Sequence, residues 1–196
     1  QPVGGIIPQA TPTALGTVYA CTCSGAIGNT ALGYCSLGAV NTSGCFNTAV
    51  GFAALCANTS GCQNVAVGTA ALKLNSVGNL NTAVGNNALC SNTSGYENVA
   101  VGVNALWSNT TGFFNIGIGS GALGGNTGGS ENIAIGRVAL NSVKTGITNL
   151  GIGDYALQNT TGSNNTAIGV YALNQNTTAS YNTAVGYQAG YALTGS

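Results

Sequence analysis

The sequence predicts an all-β chain, a parallel β-solenoid of about ten 17-residue coils, and three observations carry that reading. Asparagine recurs at positions 47, 64, 81, 98, 115, 132, 149, 165 and 182, a period of 17 with a single step of 16. With that Asn as position one, position five is glycine in every unit from Gly51 to Gly186. Position four is always Val or Ile, from Val50 to Val185, and position two is Thr, Val, Ile or Leu, all residue types that favour strands. The consensus reads N-T-A-V-G-x-x-A-L-x-x-N-T-S-G-x-x. A unit this short buries its apolar face only against its neighbours, so each copy completes the core of the one before it.

Residues 1–23, QPVGGIIPQATPTALGTVYACTC, hold all three prolines and no repeat. Their Ile6, Ile7, Val18 and Tyr19 favour an extended N-terminal arm that docks on a neighbouring subunit over a frayed tail. The repeat domain is residues 24–196. Before Asn47 its register has two solutions: A26-I-G-N-T-A-L32 aligns with A167-I-G-V-Y-A-L173 given an insertion of six residues, or Asn29 is position one given an insertion of one.

Within each coil, side chains alternate along the strand, so positions two and four are expected to face inward and positions three and five outward. Position three is only Ala or Gly: Ala49, Ala66, Ala83, Ala100, Gly117, Ala134, Gly151, Ala167 and Ala184. An outward face restricted to these residues is expected to be a subunit interface where another backbone packs closely. Gly51 and its equivalents are expected either to share that face or to turn the corner, since glycine tolerates positive φ. The A-L pair, as in Ala54-Leu55, supplies the opposite inward face, and N-T-S-G closes the coil with turn chemistry. Coils stacked at about 4.8 Å make a rod on the order of 45 Å long, with the position-one asparagines placed to form an amide ladder.

Composition narrows function. Three basic and three acidic residues cancel, which leaves no basic footprint for nucleic acid and no polybasic membrane patch. The longest apolar run, residues 49–57, is too short for a membrane-spanning helix, so no membrane insertion is expected. Few charges favour association. Histidine is absent, and Glu97, Glu131 and Asp154 form no carboxylate pair, since Glu97 and Glu131 share one repeat position two coils apart. No catalytic, cofactor or metal residues are assigned, and the chain is read as non-enzymatic.

Seven cysteines without histidine or C-x-x-C spacing point to an oxidising compartment. Cys45 and Cys62 occupy one repeat position in adjacent coils and are expected to form a disulfide. Cys56 and Cys90 share a position two coils apart, too far to pair. Cys21 and Cys23, beside the arm, are the candidates for an intermolecular disulfide. Sequons at Asn58, Asn92, Asn109 and Asn176 offer possible glycosylation sites, although N-T-S-G is also simply good turn chemistry. Aromatics including Phe52, Trp107, Phe113, Phe114, Tyr171 and Tyr187 fall at variable positions suited to an interface or to stacking on sugar rings.

The N-T-A-V-G and N-I-A-I-G units, joined to A-L and a Gly-containing turn, resemble the head repeats of YadA-type trimeric autotransporter adhesins over residues 24–196, and related phage and viral fibre proteins. That resemblance implies a left-handed β-roll, a homotrimer and a surface role. The family's units are usually shorter than the 17 residues repeated here. The combined expectation is a structural subunit of an extracellular or cell- or virion-surface filament, assembling with copies of itself. The competing expectation is an adhesin or fibre head that binds a glycan or protein receptor. Ice binding by threonine rows is disfavoured because position two is expected inward.

Overall fold

The computed structural model describes residues 27–38 and 41–192. The expected arm at residues 1–23, with Cys21 and Cys23, lies outside the described residues. The repeat region is all-β: ten strands of three residues, β1 (Thr30–Leu32), β2 (Thr48–Val50), β3 (Val65–Val67), β4 (Thr82–Val84), β5 (Val99–Val101), β6 (Ile116–Ile118), β7 (Ile133–Ile135), β8 (Leu150–Ile152), β9 (Thr166–Ile168) and β10 (Thr183–Val185). They form one parallel sheet in sequence order, each strand pairing with the next coil's strand in the register the repeat dictates, as in Thr48↔Val65 and Val50↔Val67. No helix among the described residues is long and apolar enough to cross a membrane.

The register before Asn47 resolves in favour of Asn29 as position one, because Thr30 pairs with Thr48. The extra residue lies between Leu37 and Asn41, which are equivalent to Leu55 and Asn58: the Leu37 N–H donates to Ala54 C=O as Leu55 N–H donates to Ala71 C=O.

The glycine at position five turns the corner. Gly51 has φ 130°, and a Cβ there would stand 2.6 Å from the carbonyl oxygen of Gly68 in the next coil. Positive φ and close backbone approach both exclude a side chain. Three further positions in the coil lie in the left-handed region and in most coils hold non-glycine residues, for example Ala53 at φ 56°, Leu55 at φ 50° and Gln63 at φ 58°. Tight winding over so few residues needs these reversals, and the inter-coil hydrogen bonds hold them in place.

The structure reverses the predicted inside and outside of the strand. Position three, expected at a subunit interface, is the core: Ala49, Ala66, Ala83, Ala100, Ala134 and Ala167 are fully buried, Gly117 and Gly151 are buried in the same row, and Ala184 packs against the cluster from the last coil. These residues face the buried Leu at position nine, and a Cβ on Gly117 would lie 3.3 Å from Leu106 Cγ. The coil is thin, and Leu fills its interior, so only Ala or Gly fits opposite it. The β-branched residues at positions two and four therefore face outward.

Candidate functional site

The outward face of the ten-stranded sheet is the most extensive candidate. Position four presents Leu32, Val84, Val101, Ile118, Ile135 and Ile168, each 37–38% exposed, and position two alternates Thr48, Thr82 and Thr166 with Val65, Val99, Ile116, Ile133 and Leu150. No charged residue falls on either column. The threonines face outward, which removes the ground on which a threonine row was set aside, but aliphatic residues interrupt them. The flanking columns are mixed: position seventeen carries Phe46, Leu80 and Phe114 but also Glu97 and Glu131, and position six carries Phe52, Val103 and Tyr187 but also Arg137 and Asp154. Among the described residues β1 and β10 each pair on one side only.

Beneath this face run two amide ladders. At position one, Asn64 Nδ2 donates to Asn47 Oδ1 at 3.1 Å and to Gly78 C=O at 2.8 Å, while the Asn64 backbone N–H donates to the same Asn47 Oδ1 at 2.9 Å. The pattern continues from Asn29 to Asn182 as the sequence led one to expect. The second ladder, at position twelve, was not anticipated: Asn75 Nδ2 donates to Asn58 Oδ1 at 2.8 Å and to Gly78 C=O at 3.0 Å, so one glycine carbonyl ties both ladders together. Its signal was the Asn of every N-T-S-G, read as turn chemistry alone.

This ladder corrects the glycosylation expectation. Asn58, Asn92, Asn109 and Asn176 are fully buried, with Nδ2 donating inside the fold. A glycan on that nitrogen would need the amide in solvent and would break the stack.

A bridge that the sequence did not suggest joins Cys35 to Cys56, with Cα atoms 5.6 Å apart. Cys35 stands at position seven and Cys56 at position ten of the next coil, a pairing across the turn that counting identical positions misses. Cys45 and Cys62 meet across adjacent coils, their Sγ atoms 2.8 Å apart, inside the contact distance of two thiols and so placed to bond on oxidation. Burial raises the pKa of Cys90, against an opposing pull from Lys73.

The charged residues stay dispersed. Asp154 accepts from the Arg137 backbone N–H at 2.8 Å and pairs with its guanidinium at 3.6 Å in an exposed setting, and that guanidinium lies 4.8 Å from the Tyr155 ring centre. Thr148 Oγ1 donates to Glu131 at 3.5 Å. The expected outward aromatics partly form stacks, Tyr96 on Phe113 at 4.9 Å and Tyr155 on Tyr171 at 5.0 Å. Comparison with protein families, curated proteins and solved structures gives no match.

Proposed function

We propose that the chain is a non-enzymatic structural subunit of an extracellular fibre, assembling with copies of itself through the outward sheet face and through the open ends of the coil stack. The observation that carries this reading is the uncharged face of positions two and four. Ten strands at about 4.8 Å make nine steps, about 43 Å of aliphatic and threonine surface. Monomeric soluble proteins seldom present so continuous an apolar strip. A second copy suits it, because the chain has only 3% charged residues and its own face is the uncharged, regularly spaced surface that would mesh with another.

The ends support the same reading. Parallel strand edges with unpaired backbone groups template further strands, and β10 carries Val185 at 67% exposure. Stacking the first coil of one subunit on the last coil of another would continue the sheet and both ladders. The Cys35–Cys56 bridge supports an oxidising compartment, in keeping with an extracellular fibre. The resemblance to adhesin head repeats favours trimeric lateral association as its form.

The test is negative-stain electron microscopy of unreduced protein beside a Val84→Lys/Ile118→Lys/Ile152→Lys variant and a variant lacking residues 1–23. Filaments from the parent that dissociate into single rods in the lysine variant are expected. Single rods from all three proteins at every concentration would overturn the proposal.

A further inference from the structure

One interruption in the repeat produces a concave site. In most coils positions seven and ten carry side chains that cover the turn side of the solenoid, such as Ala70 and Lys73 or Tyr155 and Gln158. In the coil that begins at Asn115 both are glycine, Gly121 and Gly124, and position eleven is Gly125. The coils on either side keep theirs, Trp107 on one and Asn141 on the other. The result is a shallow, open depression of about 550 Å³ between them.

Its lining has a definite chemistry. Trp107 is 48% exposed and is the only tryptophan of the chain. Unlike Tyr96 or Tyr155 it has no aromatic partner among the described residues, and its half-exposed indole lines the depression. Around it stand the amides of Asn87, Asn104 and Asn141 and the hydroxyl of Ser108. Asn141 Nδ2 donates to Gly121 C=O at 2.9 Å, which fixes its plane and leaves Oδ1 as an acceptor. Asn87 Nδ2 donates to Asn104 Oδ1 at 3.3 Å, which leaves the Asn104 Nδ2 as a donor. No charged residue lines the cleft.

From this juxtaposition we infer that the cleft binds a neutral oligosaccharide, one sugar ring stacking its C–H face on Trp107 while its hydroxyls bond to Asn104, Ser108 and Asn141. A half-exposed indole beside planar amides matches a ring that is apolar on its faces and polar on its rim. The lack of charge selects against acidic sugars, nucleotides and phosphorylated ligands, which would lose hydration without an ionic partner. Self-association plays no part in this inference, and the cleft lies on the turn side, away from the sheet face.

The single tryptophan provides the readout. Dispersed full-length protein is titrated with neutral trisaccharides of glucose, N-acetylglucosamine, mannose and galactose, following Trp107 emission and, for variants, isothermal calorimetry. At least one trisaccharide is expected to give a saturable shift. Trp107→Ala should weaken that binding about tenfold or more, the loss expected of a central aromatic anchor.

Gly121→Asn is the second variant. Gly121 has φ +69°, a conformation in which asparagine already sits at the equivalent Asn87 and Asn104, and a Cβ there would meet its nearest atom at 3.7 Å. It should therefore fold normally, fill the cleft and abolish binding. Saturable binding that survives Gly121→Asn unchanged would overturn the assignment, as would no response to any of the four trisaccharides at concentrations on the order of 10 mM.

Discussion

Val143→Asn should stabilise the protein although it places a polar side chain in a fully buried site. Val143 occupies position twelve, where Asn41, Asn58, Asn75, Asn92, Asn109 and Asn126 build the second ladder. The ladder stops there, and three buried atoms around the break have no hydrogen-bond partner: Asn126 Oδ1, Thr160 Oγ1 and Asn176 Oδ1. An amide in place of the isopropyl group would donate to Asn126 Oδ1 and to Gly146 C=O, and would accept from the Thr160 hydroxyl. Each buried group left unsatisfied costs about 1–3 kcal/mol, and two of the three would be relieved. Against this stand the lost burial of the valine methyls and the desolvation of the new amide, about 2–3 kcal/mol together. The net expectation is a gain of about 1–2 kcal/mol, or about 2–8 °C in Tm for a chain of this size. Thermal and urea unfolding followed by circular dichroism measure it. The reciprocal change Asn92→Val, inside the intact ladder, should cost about 2–3 kcal/mol by stranding Asn75 Oδ1 and removing an acceptor from Asn109 Nδ2. A loss of about 1 kcal/mol or more in Val143→Asn would refute the reasoning, since continuity of the ladder would then be worth less than the valine it displaces.

Gly78→Ala should abolish cooperative folding or lower Tm steeply, because a Cβ at that residue would overlap the Gly95 carbonyl oxygen and Asn75 Oδ1 and also lie 2.7 Å from Asn92 Nδ2; urea unfolding checks it. Ala100→Leu should destabilise by about 1–3 kcal/mol through overpacking against the position-nine leucines, whereas Val101→Lys on the outward face should leave the stability of dispersed protein within about 0.5 kcal/mol; paired unfolding curves would expose an inverted strand if the order were opposite. Cys90 is held protonated by burial, so its alkylation by iodoacetamide should lag behind that of an exposed thiol. Because the folded state retains that proton after the unfolded chain loses it near the ordinary value of 9.0, stability should fall as pH rises through that value, and Cys90→Ala should remove this part of the decline.

The fold was legible because the period is local information. Asparagine at a fixed interval and a β-branched residue before the glycine fix strand and register for every coil from Asn47 on, while the corner role of the glycine and the register of the first coil were settled only by the structure. Parity was not legible. Val50 and Ala49 alternate across the strand whichever way the strand faces, and the usual assumption that β-branched residues fill cores points the wrong way in a coil this narrow. The Cys35–Cys56 pairing and sequon accessibility were missed for a related reason: Cys35 meets Cys56 by crossing between different repeat positions, and Asn58 is buried by the very turn that made it look exposed. The Trp107 cleft depends on side chains from three successive coils, and its only sequence trace was the run of glycines at 121, 124 and 125.

The sequence by itself determined an all-β solenoid, the order and register of its strands from Asn47 on and the position-one amide ladder, since stacking identical units leaves little else to decide. Tertiary structure alone decided which face of the sheet is buried, because that depends on what stands across the coil. The leucine at position nine takes the available volume and admits only Ala or Gly opposite, and the valines and isoleucines are thereby turned toward solvent.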